Sequence, residues 1–310
     1  MNELYYYFSQ DKNLFYYSCD MVRIGFELYS DKNCLLEFEK YFNHILRTDI
    51  TIYPINTRDF KYKNLLTIKY EHGGILSMGY CFNGVSGDDK YKGFIEFNPN
   101  KCFMDEQIKK DIHLIKMCSW NYEIKRWDLA IDIPLARECI SMAKDKRKYE
   151  MVMNSKSDKT EYLGERNSVG RVKLYNKSIE RKLDYDLTRL EITLDNVDDL
   201  DELTYRLREP ELYKFDLQKE INFSDLSQTQ KVLVECICDS ENPLYYFGKL
   251  DKRMKSKLRP FICRDEYRLK TDFHCVVDIM NFIRKEILFY PVDEKGNIIY
   301  NSRRFMKGEK

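Results

Sequence analysis

One short segment, residues 171–177 (RVKLYNK), combines a tyrosine with three cationic side chains at a spacing of two residues. Side chains two residues apart in a β-strand lie on the same face of the sheet. As a strand, this segment therefore places Arg171, Lys173 and Lys177 on the face of Tyr175, with apolar side chains on the other face. Such a face is either an ordinary solvated surface or a phosphate-binding site that contains a nucleophile.

Acidic side chains repeat this alternation on three other predicted strands. They are Glu96, Asp128, Asp132 and Glu191. A half-solvated antiparallel sheet has the same pattern. Carboxylates that converge on one surface repel each other, however, and a divalent cation relieves that repulsion, with Mg²⁺ or Mn²⁺ favoured by oxygen ligands. The four histidines form no HxH or HExxH pattern, which argues against a histidine-based metal site.

A hard cation, a tyrosine and flanking cations together suit phosphoryl transfer. A tyrosine hydroxyl has an ordinary pKa of about 10, so it needs help to lose its proton. Mg²⁺ or Mn²⁺ would polarise the scissile phosphate, and Lys173, Lys177 and Arg171 would bind its non-bridging oxygens. The product, a phosphotyrosine ester, keeps the bond energy of the phosphodiester and permits later rejoining. The same residues on an unreactive, solvated strand remain the alternative.

The elements that must position these residues are read from hydrophobic spacing. Strands are predicted over 21–28, 94–99, 125–134, 161–166, 171–177 and 188–195, a hairpin around Gly73, and helices over 32–46, 104–120 and 135–148. Beyond residue 200 helical spacing dominates, as in 227–239 and 276–288. We predict an α+β fold, with an antiparallel-sheet catalytic domain over 1–200 and a mostly helical module over 201–310.

Composition limits the class of protein. The 310 residues have a formal net charge of +1, so any nucleic-acid signal must come from local clusters of charge. Ten cysteines occur without a CxxC pair, and no apolar run approaches the ~18 residues that span a bilayer. We therefore expect a cytoplasmic protein with free thiols and no membrane partner.

The motif residues resemble those of the replication initiation factor family, which comprises rolling-circle initiators of small plasmids, related phage initiators and relaxases of conjugative elements. Residues 162–182 are similar to the family pattern Tyr-x-Gly-x-Arg-x-Ser, followed by Lys-Leu-Tyr-Asn-Lys and a Glu-Arg pair. Blocks at 94–101, 125–133 and 189–194 match in the same order, and a weaker similarity reaches 246–259.

This resemblance implies a sequence-specific DNA nickase whose nucleophile is Tyr175 and whose divalent metal is held mainly by acidic side chains. It also implies a homodimer that recruits a host helicase. Arg166 and Arg171, within the matched motif, would contact DNA. A conjugative relaxase with the same chemistry is one alternative, and a non-catalytic DNA-binding protein is another. The intact Tyr175, Asp128, Asp132 and Glu191 argue against loss of activity.

A basic stretch lies outside the predicted catalytic core. Residues 249–270 hold nine Lys or Arg against three Asp or Glu. A local excess of this kind typically follows a phosphate backbone, although a solvated helix face has the same composition. We predict that this stretch binds DNA and sets origin specificity through Lys252, Arg253, Lys255 and Lys257.

Overall fold

The structure is a computed structural model, and its described residues cover most of the chain. They are 15–28, 64–70, 73–80, 92–102, 105–117, 119–165, 170–195, 209–215, 225–264, 267–288 and 294–295. Arg166, the predicted helix over 32–46 and the predicted boundary at residue 200 lie outside these ranges. Within them, no helix is long and apolar enough to cross a membrane.

Twelve strands build two antiparallel sheets among the described residues. The strands are β1 (Tyr16–Leu28), β2 (Asn64–Lys69), β3 (Ile75–Tyr80), β4 (Lys92–Phe97), β5 (Ser119–Ile133), β6 (Ile140–Met142), β7 (Tyr149–Met153), β8 (Lys159–Leu163), β9 (Arg171–Asn176), β10 (Thr188–Asp195), β11 (Leu212–Lys214) and β12 (Arg268–Leu269). The large sheet has nine strands in the order β2-β3-β4-β1-β5-β10-β9-β8-β7, and the small one has the order β12-β11-β6. The α+β class with a large antiparallel sheet is thus confirmed.

Seven α-helices accompany the sheets in the described part of the chain. They are α1 (Pro99–Cys102), α2 (Glu106–Met117), α3 (Lys177–Arg181), α4 (Gln228–Cys238), α5 (Pro243–Lys249), α6 (Lys252–Ile262) and α7 (Phe273–Phe282), with a 3-10 turn at Arg137–Cys139 and a π-helical turn at Ile283–Ile287. The side chain of Asn176 accepts a hydrogen bond from the backbone N–H of Ile179 and so caps α3. Strand β9 therefore ends, and α3 begins, immediately after Tyr175.

The large sheet buries one face in the main core. Apolar residues of α2 (Ile108, Ile112 and Ile115) and of α7 (Val276, Ile279 and Met280) belong to the same buried cluster as the apolar side chains of β1, β5 and β10. A fully buried aliphatic side chain stabilises a fold by about 1.5–3 kcal/mol. The strands alternate apolar and polar residues for this reason, and the polar side chains are left on the opposite face.

A second, smaller core lies among α4, α5 and α6. It comprises Tyr213, Phe215, Leu226, Val234, Ile237, Leu244, Phe247, Leu258 and Ile262. Helix α7 packs in the main core and not in this smaller one, so the described residues do not confirm a separate helical module over 201–310. The backbone N–H of Asp272, just before α7, also donates to the hydroxyl of Tyr17 in β1 at 2.7 Å.

Local patterns predicted most of the described elements, with one clear error. The strand predicted at 188–195 coincides with β10, and the predicted hairpin is the β2–β3 pair, in which Gly73 has φ +79°. The helix predicted over 135–148 is wrong, because this stretch holds only the 3-10 turn and β6. The buried Arg137 guanidinium donates to the carbonyl of Ile140 and pairs with Glu161, while β6 pairs with β11. These long-range contacts outweigh the local helical spacing.

Candidate active site

Tyr175 lies at the end of β9 and is surrounded by the two lysines that the sequence placed beside it. The Lys177 ammonium donates a hydrogen bond to the Tyr175 hydroxyl at 3.3 Å and also pairs with the Glu180 carboxylate. The Lys173 ammonium lies 3.8 Å from the centre of the Tyr175 ring. Tyr175 itself is only 6% exposed, so this face is not a plain solvated surface.

Burial and nearby carboxylates keep the hydroxyl protonated. Burial, first of all, raises the pKa of the Tyr175 hydroxyl; the charges of Glu191, Glu180 and Asp20 raise it further, while Arg189 lowers it. Burial and the positive charge of Arg189 in turn lower the pKa of Lys177. Ionisation of Tyr175 therefore needs additional positive charge in the site, which a bound cation could supply.

Two DNA contacts, Arg171 and Arg166, were predicted within the motif around Tyr175. Arg171 lies on the same face of β9 as Tyr175, but its guanidinium carbon is 4.7 Å from the centre of the Tyr162 ring. On the neighbouring strand β10, Arg171 is opposite Thr193, whereas Tyr175 is opposite Arg189. Its buried Nε has no hydrogen-bond partner among the described residues. Arg166 lies outside the described ranges.

Arginines neutralise three of the four carboxylates predicted as metal ligands. Both Asp132 oxygens accept hydrogen bonds from Arg189 at 2.6 Å, and both Asp128 oxygens accept from Arg126 at 2.9 Å. Glu96 accepts from the Nε of Arg23 at 2.6 Å. The repulsion predicted among these carboxylates is therefore largely relieved by neighbouring arginines, without a cation.

Glu191 is the exception. Its carboxylate has neither a hydrogen bond nor an ion pair with any residue that the structure describes. Burial raises its pKa, as do the charges of Asp128 and Asp20, whereas Lys173 lowers it. Among the described side chains, no group of three or more His, Cys, Asp or Glu residues is arranged to hold a metal ion by itself.

Neutral oxygen atoms that sequence reasoning missed lie beside Glu191. Ala130 of β5 pairs with Glu191 on one side and with Ser18 of β1 on the other, so these side chains share the polar face. The Ser18 Oγ and the Asn100 Oδ1 are buried and have no hydrogen-bond partner among the described residues.

Asp20 completes this set because of a bulge in β1. The register of β1 against β5 shifts between Cys19 and Met21, which leaves Asp20 unpaired in the ladder. Its carboxylate pairs with Arg189 and accepts from the Asn100 Nδ2 at 3.4 Å. We call the oxygen atoms of Ser18, Asp20, Asn100, Asp128 and Glu191 the oxygen-lined hollow. No local sequence signal predicts a bulge.

The chemistry of the oxygen-lined hollow fits a hard divalent cation. Carboxylate, amide and hydroxyl oxygens are the ligands that Mg²⁺ and Mn²⁺ prefer, and two of the oxygens here are buried without a partner in the described chain. Glu96 and Asp132 fit less well, since each already pairs closely with an arginine. Asp128 and Asp20 are paired with Arg126 and Arg189 in the same way, so Glu191 is the carboxylate of this set that has no hydrogen bond or ion pair to a described residue.

The predicted DNA-contacting residues of the basic stretch lie on α6. Lys252, Arg253 and Lys257 are exposed and Lys255 is partly exposed, while Leu258 and Ile262 of the same helix are buried in the second core. None of the four cations pairs with a carboxylate of the described chain. The Asp251 side chain caps the first turn by accepting from the backbone N–H of Met254 at 2.9 Å. Helix α6 thus presents a cationic face to solvent.

Comparisons with known proteins find a distant structural likeness. No family model matches the chain, and no curated protein matches it. One similar solved structure is a rolling circle replication initiator protein from Geobacillus stearothermophilus, with 16% sequence identity and a TM-score of 0.38; the alignment covers 68% of this chain and 90% of that chain. At this level of similarity the alignment does not assign the chain to a family.

Proposed function

We propose that the protein is a sequence-specific DNA nicking-closing transesterase that initiates rolling-circle replication of a plasmid or similar element. The observation that carries the proposal is the buried Tyr175, with Lys177 on its hydroxyl, Lys173 on its ring and the unpaired Glu191 carboxylate nearby. The sequence resemblance of residues 162–182 to replication initiators supports the same function independently of the geometry.

Each residue of the site has a role in the proposed reaction. The Tyr175 oxygen attacks a backbone phosphorus, the P–O bond to the 3′-oxygen of the neighbouring nucleotide breaks, and a 5′-phosphotyrosine forms. The released 3′-oxygen leaves as a hydroxyl, which balances the proton that Tyr175 loses. Lys177 orients the hydroxyl and stabilises the phenolate, and Lys173 neutralises the non-bridging oxygens. Rejoining is the same exchange in reverse, with the free 3′-hydroxyl as the attacking group. No high-energy cofactor is needed, because the ester bond is conserved.

A divalent cation, Mg²⁺ or Mn²⁺, is part of the proposal. When bound, it supplies Lewis-acid polarisation of the scissile phosphate. Glu191 and Asp128, together with Asp20, would hold it, helped by the buried neutral oxygens of the oxygen-lined hollow. Its positive charge would also offset the carboxylates that raise the pKa of Tyr175.

DNA, a second copy of the chain and a host helicase are the proposed partners. The exposed cations of α6 support contact with duplex DNA. The homodimer, the helicase and a cytoplasmic location are proposed on the resemblance to plasmid initiators alone. A conjugative relaxase would use the same residues at a transfer origin, so the origin that the protein cuts distinguishes the two.

Covalent capture tests the proposal. Supercoiled plasmid carrying the origin of the protein's own element is incubated with the protein and Mg²⁺, with EDTA as the parallel arm, and the protein–DNA product is digested and located by mass spectrometry. We expect relaxed plasmid and a nucleotide on Tyr175 only when the metal is present. Tyr175→Phe should lose the adduct and keep DNA binding, while Tyr185→Phe, at a tyrosine that is 42% exposed, should keep both. A persistent adduct in Tyr175→Phe assigns the nucleophile elsewhere, and no adduct at all with the wild type overturns the nickase.

A further inference from the structure

We propose that Glu180 is a positioning residue, which holds the ammonium group of Lys177 against the hydroxyl of Tyr175. The inference rests on the proposed function and adds to it a residue that acts through Lys177. Glu180 follows Lys177 by three residues in α3, and its carboxylate pairs with the Lys177 ammonium. That ammonium in turn donates to the Tyr175 hydroxyl at 3.3 Å.

The first turn of α3 is fixed to the start of β10, so the backbone of Lys177 has a set position. The backbone N–H groups of Lys177 and Ser178 both donate to the carbonyl of Leu187, at 2.9 Å and 3.2 Å. The Ser178 hydroxyl also accepts from the backbone N–H of Leu187 at 2.6 Å. What remains to be fixed is the long, flexible stem of the lysine side chain, whose ammonium group could otherwise leave the hydroxyl. The pair with Glu180 supplies that restraint.

Burial makes a partner necessary for this lysine. The side chain of Lys177 is only 4% exposed, whereas that of Glu180 is 46% exposed. An ammonium group taken out of water is costly unless a carboxylate and hydrogen bonds compensate for the lost hydration. Glu180 therefore does more than decorate the surface: it supplies the negative charge that keeps a cation beside a buried tyrosine.

The groups that face Lys177 act on its charge in opposite directions. Burial lowers the pKa of Lys177, and so does the positive charge of Arg189 in β10. The hydrogen bond and the charge of Glu180 raise it, as does the charge of Asp20 in β1. Because a neutral lysine cannot stabilise a phenolate, loss of the Glu180 charge weakens the support that Lys177 gives to Tyr175.

The order of the two residues argues against a pair that only stabilises the helix. On a helix, a glutamate that precedes its lysine partner is the more stabilising order. In α3 the lysine comes first, whereas the Glu106–Lys109 pair of α2 has the stabilising order at the same spacing. The contact with Tyr175 therefore explains the Lys177–Glu180 pair better than the stability of α3 does.

Lysine NMR tests the contact without any need for DNA cleavage. The full-length protein is labelled with ¹³C at the lysine ε-carbons, and the Lys177 signal is the one that Lys177→Arg lacks. In Glu180→Gln the pKa of Lys177 should fall below its wild-type value, since the carboxylate that opposes the effect of burial is gone. Glu180→Asp keeps the charge and should recover part of the loss. Glu106→Gln, at the matched pair of α2, should leave the pKa of Lys177 unchanged.

The pH dependence of adduct formation tests the role in the attack. The rate at which Tyr175 forms its adduct is measured with Mg²⁺ and saturating origin DNA over a pH series. In Glu180→Gln the alkaline decline of this rate should begin at lower pH, and the adduct should form several-fold more slowly at roughly pH 9, below the usual lysine pKa of about 10.4. Besides burial and Glu191, Glu180 also raises the pKa of Tyr175, so the acidic side of the profile should move to lower pH as well. DNA affinity should not fall, because the substitution removes a negative charge.

The outcomes separate this inference from the proposed function. An unchanged Lys177 pKa in Glu180→Gln would overturn the positioning role, whether or not the wild type forms an adduct. A lowered pKa with an unshifted pH profile of adduct formation would also overturn it, while the nickase stands. A lowered pKa in a protein whose wild type forms no adduct would uphold the coupling of Glu180 to Lys177 and overturn the nickase.

Discussion

Replacing Arg189 with methionine should destabilise the protein far more than the same replacement of Arg23. Arg189 and Asp132 pair in the sheet with side chains that are 2% and 1% exposed, and the guanidinium also pairs with Asp20. Arg23 and Glu96 form a geometrically similar pair, but their side chains are 42% and 28% exposed. The two pairs therefore compare one kind of interaction in a buried and in a partly solvated setting.

The magnitudes follow from burial. Removing one member of a buried ion pair leaves an uncompensated charge and costs about 3–5 kcal/mol. An exposed pair contributes about 0–1 kcal/mol, because water replaces the lost partner. We expect Arg189→Met to lower the free energy of unfolding by several kcal/mol more than Arg23→Met. Asp132→Asn added to Arg189→Met should recover part of the loss, since it removes the stranded charge.

Urea unfolding measures this difference. The protein has two tryptophans, and the buried Trp127 lies in β5 beside Asp128, so tryptophan fluorescence follows the sheet that contains the pair. Equal dependence of the free energy on urea concentration in all variants is required before the values are compared. If Arg189→Met and Arg23→Met differ by less than about 1 kcal/mol, the buried-charge reasoning is wrong. In that case Asp132 is again open as a metal ligand.

Three further predictions concern metal, DNA and pH. Glu191→Gln should weaken Mn²⁺ binding, measured by electron paramagnetic resonance of the free ion, whereas Glu96→Gln should not. Equal effects of the two substitutions would contradict a metal site in the oxygen-lined hollow. The four predicted DNA contacts of α6 are Lys252, Arg253, Lys255 and Lys257. Replacing all four with alanine should weaken duplex binding and reduce the slope of log K against log salt by up to about 3–4. Wild-type affinity of this variant across a salt series would show that α6 is only a solvated face. Burial lowers the pKa of Lys159 to about 8 in the folded protein. As pH rises, Lys159 therefore loses its proton in the folded protein before it does so in the unfolded chain. The free energy of unfolding should consequently rise by about 2 kcal/mol between roughly pH 7.5 and 9.5. Lys159→Met should abolish that rise in urea unfolding and the exposed Lys156→Met should retain it; an unchanged rise in Lys159→Met would contradict the assignment.

The local sequence determined which side chains share a face. Alternation with a period of two is a property of a single strand, so the row of Tyr175, Lys173 and Arg171 followed from the segment alone. The turn residue Gly73 and the strand at 188–195 were predictable for the same reason, because turn chemistry and alternation are encoded within a few residues. The nature of the candidate chemistry, a tyrosine among cations with carboxylates nearby, came from these patterns.

Only the tertiary structure decided which of those groups meet. Strand register brought Arg189 opposite Tyr175 and Asp132, and this turned a predicted metal ligand into the partner of a buried arginine. The bulge that exposes Asp20 to Arg189, and the position of Asn100 beside it, depend on how β1 fits against β5 and α1. Register, bulges and the packing of α7 in the main core are set by contacts between residues far apart in the chain, and no local period encodes them.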